Sequence, residues 1–249
     1  MSLTITVEHL AAIAGRTTPL MPDLAEWLNR LCPLYEIDLP QEYCHFLAQA
    51  CHETDHFKTL REYASGNAYE GREDLDNTQP GDGVRFKGRG IFQTTGRANY
   101  LELGIKKGRR DMFVDSPELL EQPEYAVWSA CEYWKTRGLN DIANHADSDV
   151  LKKKYKGAVL DLSPVEYISY RVNGGNLGLD ERKKFYLIAQ RVLTEPVEPR
   201  LVRGRVAVRK RAKKRNPSMK RTSTRSRRKL VKTSPASKAK PARASHRKR

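Results

Sequence analysis

The thirty-six residues from Glu62 to Arg97, EYASGNAYEGREDLDNTQPGDGVRFKGRGIFQTTGR, are rich in Gly, Asn, Asp and Arg and follow neither helical nor strand periodicity. Segments this long without regular structure are uncommon in compact domains and usually carry function. Helical patterns stand on both sides. Residues 5–14 form one amphipathic stretch, and Met21-Pro22-Asp23 opens another bearing Leu24, Trp27, Leu28 and Leu31. Pro40 sits at a helix start, where its missing N–H costs nothing. From Gln41 to Glu53, Cys44, Leu47, Ala48 and Cys51 recur at helical spacing, which predicts a core helix. Beyond the irregular stretch, Pro123 starts a helix through Val127, Trp128, Cys131 and Trp134 that Gly138 ends. Ser163-Pro164-Val165-Glu166 is a capping box for a helix ending at Asn173-Gly174-Gly175. Asp180 is placed to cap a last helix with Phe185, Ile188, Ala189 and Val192. The pattern is mainly α, with an irregular lobe, roomy enough for a short hairpin, inserted after the helix that carries Glu53.

That pattern stops at Pro199. Residues 200–249 hold 22 Lys and Arg and no Asp or Glu, so the remaining 199 residues carry a net charge of −6 although the whole chain carries +16. The last segment has too little apolar surface to offset chain entropy. The expected division is a folded domain over 1–198 and a disordered Lys/Arg-rich tail over 199–249. Such a tail binds polyanions in a salt-sensitive way. Lipopolysaccharide and phospholipid headgroups of an anionic envelope are the favoured partners and nucleic acid the second; no aromatic interrupts the tail to stack on bases. No apolar run approaches the length of a membrane span, and MSLTITVEHLAAIAG lacks the basic start and continuous apolar stretch of a secretory leader. Cys32, Cys44, Cys51 and Cys131 form no CxxC pair and read as free buried thiols of a reducing compartment.

Two chemistries compete for residues 52–56, HETDH. Histidines at i and i+4 share a helix face and can ligate zinc. A third ligand is wanted, and the position where related zinc motifs turn the chain with Gly is Thr59, with Glu62 three residues on. His145 lies in a polar loop. Asp74, Asp76 and Asp82 lack the spacing of a calcium loop. The second chemistry is glycoside hydrolysis, which needs two carboxyl groups, one to protonate the leaving oxygen and one to activate water or attack carbon. Glu53 and Glu62 are nine residues apart, about two and a half turns, and on one continuous helix would face opposite sides. They share a cleft only if the helix ends between them, which the less helical stretch from Thr59 allows. Burial against Phe57 or Tyr63 would suit such an acid. By spacing alone the two remain compatible with ordinary surface glutamates. Gly88, Gly90 and Gly96 read as tight turns, and Trp128 and Trp134 as core.

Four blocks, FLAQACHET, TLRE, FKGRGIFQTTGRANY and YRVNGGNLGLDERKKFY, occur in this order and resemble glycoside hydrolase family 19, above all its bacteriophage endolysin branch, which is similar in fold to plant chitinases. The resemblance covers roughly residues 5–195. It implies a lysozyme-like, two-lobed helical fold and hydrolysis of β-1,4 bonds next to N-acetylated amino sugars by single displacement, with carboxylates about 6.5–9.5 Å apart. It makes Glu53 the acid and Glu62 the base, with Glu70 a rival base. Gln93, Thr95 and Asn99 would line the sugar cleft, and Asn173 and Arg182 would orient base and substrate, Arg182 by a bidentate contact to a carboxylate. No metal or cofactor is implied; His52 becomes a hydrogen-bonding partner and His56 incidental. Ala98 stands where plant enzymes have an aromatic, and the plant disulfide cysteines are missing, which favours peptidoglycan over chitin. The expectation is a monomeric endolysin that cleaves peptidoglycan glycan strands. It would wait in the host cytoplasm for a pore-forming partner or travel in the virion. A lytic transglycosylase or chitinase on the same fold, a zinc metalloprotease and a non-catalytic polyanion-binding protein are the alternatives.

Overall fold

A computed structural model of the chain describes residues 3–194. The basic tail, with its expected disorder and partners, lies outside the described residues. Among the described residues ten α-helices run in order: α1 (Val7–Ala14), α2 (Met21–Leu31), α3 (Pro40–Glu53), α4 (Asp82–Arg85), α5 (Arg97–Lys106), α6 (Met112–Asp115), α7 (Pro123–Thr136), α8 (Leu139–Ala143), α9 (Pro164–Asn173) and α10 (Leu179–Thr194). One antiparallel pair, β1 (Leu151–Tyr155) and β2 (Ala158–Leu162), precedes α9. None of the described helices is long and apolar enough to cross a membrane.

Local chemistry sets most helix ends. Pro40 opens α3, and the N–H groups of Asp38 and Leu39 both donate to the Glu42 carboxylate at 2.9 Å, supplying acceptors at the helix entry. At α9 the Ser163 N–H donates to the Glu166 carboxylate at 2.9 Å, half of the predicted box, and Gly174 closes the helix in the left-handed region at φ 73°. Asp180 is no cap: α10 begins one residue earlier, so Asp180 lies inside its first turn.

α3 is the central helix. Every residue from Glu42 to Cys51 is buried, as befits a helix covered on all sides. α10 lies along it, α1 packs on both, and α2 packs on α7. These helices share one core, in which the four cysteines are buried and free. A second, smaller core of Phe86, Tyr100, Leu103, Phe113, Leu120 and Trp128 supports the irregular lobe. α7 divides the two cores: Trp128 faces the small one, while Val127, Cys131 and Trp134 face the large one.

The irregular lobe contains no strand pair. It folds through short 3-10 turns, α4 and two isolated bridges, Arg61 with Arg89 and Arg89 with Thr94. Buried Arg89 anchors it, donating to Glu121 at 2.7 Å, to the Arg85 carbonyl at 2.7 Å and to the Tyr100 hydroxyl at 3.0 Å. The hairpin lies instead at 151–162, where Lys156 and Gly157 both take positive φ, 46° and 83°, as a tight two-residue β-turn requires. Lys156-Gly157 between two alternating stretches was the available signal.

Candidate active site

α3 stops at Glu53, and what stops it is unusual. Asp55, His56 and Phe57 follow one another in the left-handed region at φ 48°, 63° and 58°. Left-handed geometry costs roughly 1–2 kcal/mol per non-glycine residue, so the surroundings must hold it. Buried Thr54 does part of this: its hydroxyl donates to the Ala50 carbonyl at 2.6 Å and accepts the Phe57 N–H at 2.9 Å. The Thr18 hydroxyl donates to the Phe57 carbonyl at 2.5 Å, and the Phe57 ring is buried in the main core. The turn carries the chain back so that the Glu62 N–H donates to the Gly88 carbonyl at 2.9 Å. The helix therefore breaks between the two glutamates, as their sharing a cleft demands. Tyr63 does not cover Glu53; it is 70% exposed and donates to Asp55.

Glu53 is gripped from behind. Arg182, only 1% exposed, donates through Nη2 to Glu53 Oε1 and through Nη1 to Gln49 Oε1 at 2.6 Å. Gln49 in turn donates to Ser169, and Ser169 to the Val165 carbonyl. Two expectations for Arg182 are corrected here. It is buried and holds Glu53, not Glu62 or an open substrate position, and its fork is split between two side chains because Gln49 occupies the second arm. Asn173 likewise serves its own loop, donating to the Leu177 carbonyl at 2.6 Å and accepting the Gly175 N–H at 2.8 Å.

The histidines of HETDH converge on Glu181. His52 Nδ1 lies 2.6 Å from one oxygen and His56 Nε2 3.4 Å from the other. His56 is not incidental: its Nδ1 lies 2.8 Å from the Ala14 carbonyl and its ring meets Phe185 edge-on. Among the described residues no group of three His, Cys, Asp or Glu is placed to hold a metal ion. Asp74 pairs with Arg72, and the Arg97 guanidinium beside Asp82 holds its carboxyl below the usual carboxylate range.

Glu62 stands on the other lobe. Tyr69 donates to its Oε1 at 3.0 Å and the Gly88 N–H to its Oε2 at 3.0 Å. Burial, and then the bond to Glu62, raise the Tyr69 pKa and keep it a donor. A Cβ on Gly88 would lie 2.7 Å from Gln93 Oε1 and 3.1 Å from Glu62 Oε2, so glycine lets Gln93 and Glu62 approach. Gln93 itself sits at φ 51°, donates to the Gly90 carbonyl at 3.1 Å, and keeps a buried Oε1 with no partner among the described residues. Glu70, the rival base, is spent on the loop: its carboxylate accepts the N–H groups of Gly81 at 2.6 Å and Gly83 at 2.8 Å.

Gln93, Thr95 and Asn99 line one cavity of about 240 Å³ beside Phe92 and Tyr133. The Thr95 hydroxyl donates to the Gln93 carbonyl and Asn99 to the Thr95 carbonyl, which fixes the three as a unit. Tyr133 lies within electrostatic reach of Glu53: burial raises its pKa, and Arg137 and Glu53 are among the charges it feels. Sequence reasoning missed Tyr69 and Tyr133, since neither stands in a motif and Tyr133 adjoins core positions of α7. Trp128 and Trp134 are buried.

No family model matches the chain. A glycosyl hydrolase family 19 domain-containing protein of Haemophilus influenzae is 28% identical over 125 residues, 50% of this chain and 51% of that protein. The match thus spans about half the length of that curated relative. Among solved structures, chitinase C from Streptomyces griseus superposes with a TM-score of 0.54 at 18% identity, over 79% of this chain and 96% of that one. A mutant chitinase C gives 0.51 at 18% identity with the same coverage. The chain therefore has the fold of these chitinases, mainly helical with a small β element.

Proposed function

We propose that the chain is a glycoside hydrolase that cleaves β-1,4 bonds of peptidoglycan glycan strands, with Glu53 as acid and Glu62 as base. The observation that carries this reading is the strained turn after α3, which separates two tethered glutamates onto two lobes. Glu53 Oε1 is held by Arg182, and Oε2 has no partner among the described residues, which makes Oε2 the atom to deliver a proton to the leaving oxygen. Glu62, fixed by Tyr69 and Gly88, is oriented to take a proton from the attacking water. Gln93, Thr95 and Asn99 would seat the sugar. Chitin, the substrate class that the structural neighbours' names indicate, is the second reading.

Product analysis tests the chemistry. Mass spectrometry of fragments released from purified peptidoglycan is expected to show hydrated reducing ends. Anhydro ends would replace the hydrolase with a lytic transglycosylase, which needs an acid but no water-activating base.

The endolysin role extends this reading: the protein would reach the wall from the host cytoplasm through a pore-forming partner, and its tail would hold it to an anionic envelope. A chain ending at residue 198 is expected to hydrolyse soluble glycan within about twofold of the full chain while losing salt-sensitive binding to lipopolysaccharide vesicles. Salt-sensitive binding of the full chain to DNA but not to vesicles would make the tail a nucleic-acid element.

A further inference from the structure

We infer that Arg137 on the wall of the cavity, backed by Arg171 and Lys153 outside it, recognises carboxylates on the glycan, so that carboxylated strands are preferred to neutral ones. This inference rests on the hydrolase reading above and names the feature of the substrate that the cleft selects.

The wall is built where two helices end. Tyr133 lies near the end of α7, and the Arg137 guanidinium rests over its ring, 3.5 Å from the centroid. The Tyr133 hydroxyl donates to the carbonyls of Arg171 and Val172 at 3.1 and 3.0 Å. Arg171 Nη2 donates to the Arg137 carbonyl at 3.1 Å, tying the end of α9 to the end of α7. Tyr133 and Arg137 line the cavity that contains Gln93, Thr95 and Asn99. Lys153 on β1 is half-buried over the Tyr167 ring, and its burial and the neighbouring Arg171 lower its pKa.

Among the described residues none of these three cations pairs with a carboxylate. Other cations at the site do: Lys106 on the same cavity lies 3.1 Å from Glu102 and 3.8 Å from Glu132, and Arg182 is taken by Glu53. The contrast is sharpened by the acidic balance of the first 199 residues. Cations are favoured at helix C-termini, which accounts for Arg137 as the cap of α7 and Arg171 in the last turn of α9. It does not account for the Arg137 guanidinium resting over an aromatic ring at a cavity wall. Stacking pre-organises that planar fork, the geometry that accepts a carboxylate by two parallel hydrogen bonds. A polymer of N-acetylglucosamine has no carboxylate to offer. A muramyl strand offers carboxylates in one of two ways: on the free lactyl group where no stem peptide is attached, and on the stem peptide where the lactyl carboxyl is taken up in the amide to it.

Equilibrium binding to the full chain tests this with four soluble ligands: a disaccharide bearing its stem peptide, the same with its carboxyls amidated, the peptide-free muramyl disaccharide with a free lactyl group, and a neutral N-acetylglucosamine tetramer. The parent and the Arg137→Gln/Arg171→Gln double variant carry the same tail, so only the difference between them counts. The parent is expected to lose about tenfold in affinity on amidation of the ligand. The double variant is expected to lose most of that preference and to bind the neutral tetramer within about twofold of the parent. Peptide-free disaccharide binding as tightly as the muropeptide means that the wall accepts a free lactyl carboxylate as well as those of the peptide; binding as weakly as the amidated ligand confines recognition to the peptide. An amidation effect of equal size in parent and variant, or no effect in either, overturns the proposal, as does equal weakening on all four ligands, which marks a merely structural role. Failure of the parent to release fragments from peptidoglycan would sink the hydrolase reading while leaving this binding result standing.

Discussion

Glu53→Gln is expected to lower turnover on peptidoglycan strands by about 10²–10⁴-fold, the range that a positioned general acid supplies. The amide is isosteric and still accepts the Arg182 bond through its oxygen, so the variant should fold. Its single defect is that the second atom no longer carries a transferable proton. Glu62→Gln should lose activity on the same scale, since the amide cannot take a proton from water. Glu70→Gln separates the two candidates for base. Its carboxylate ties down Gly81 and Gly83, so the change should cost about 1–3 kcal/mol of stability and leave the chemical step within a few-fold of the parent. Fragment release under single-turnover conditions, with melting temperatures measured alongside, decides among these outcomes. Activity of Glu62→Gln near that of the parent, with Glu70→Gln inert, would transfer the role of base to Glu70. Full activity of Glu53→Gln would remove the two-carboxylate mechanism altogether.

The helical frame was legible in the sequence because its signals are local. Pro40, the Ser163–Glu166 box and Gly174 mark helix ends through contacts a few residues long, and the burial of α3 follows from apolar spacing. The hairpin at 151–162 was readable and missed; its turn signal is two residues between strands that are only partly buried. The turn that defines the site was not readable. Asp55-His56-Phe57 contains no glycine, and its left-handed backbone exists because Thr18, Ala14 and the main core hold it from across the chain. A propensity argument places such residues anywhere but there. The same limit applies to Arg182. Its position in the last helix marks it as functional by resemblance, yet which carboxylate it holds depends on α10 lying along α3, a contact across 129 positions. Gln93 and Glu62 are brought together by a missing side chain, that of Gly88. An absence of atoms acquires meaning only when the neighbours are known.

Arg182→Ala is expected to destabilise the folded domain by about 3–5 kcal/mol, because it leaves buried Gln49 and partly buried Glu53 without the guanidinium that joins them. Gln49 is fully buried, and its carbonyl oxygen would lose its 2.6 Å bond, while Glu53 would lose its only donor among the described residues. For a domain of this size the loss corresponds to a melting temperature lower by roughly 10 °C. Activity should fall about 10²-fold even at temperatures where the variant is folded, since the acid is no longer held in register with the sugar. Arg182→Lys keeps the charge but cannot span Gln49 and Glu53 with one ammonium. It should therefore recover part of the stability and little of the activity. A thermodynamic cycle with Glu53→Gln isolates the pair: the double variant should be more stable than the sum of the single losses predicts, because both single changes weaken the same contact. A melting temperature of Arg182→Ala within about 2 °C of the parent would mean that water replaces the guanidinium, and that the grip on Glu53 is not what holds α10 against α3.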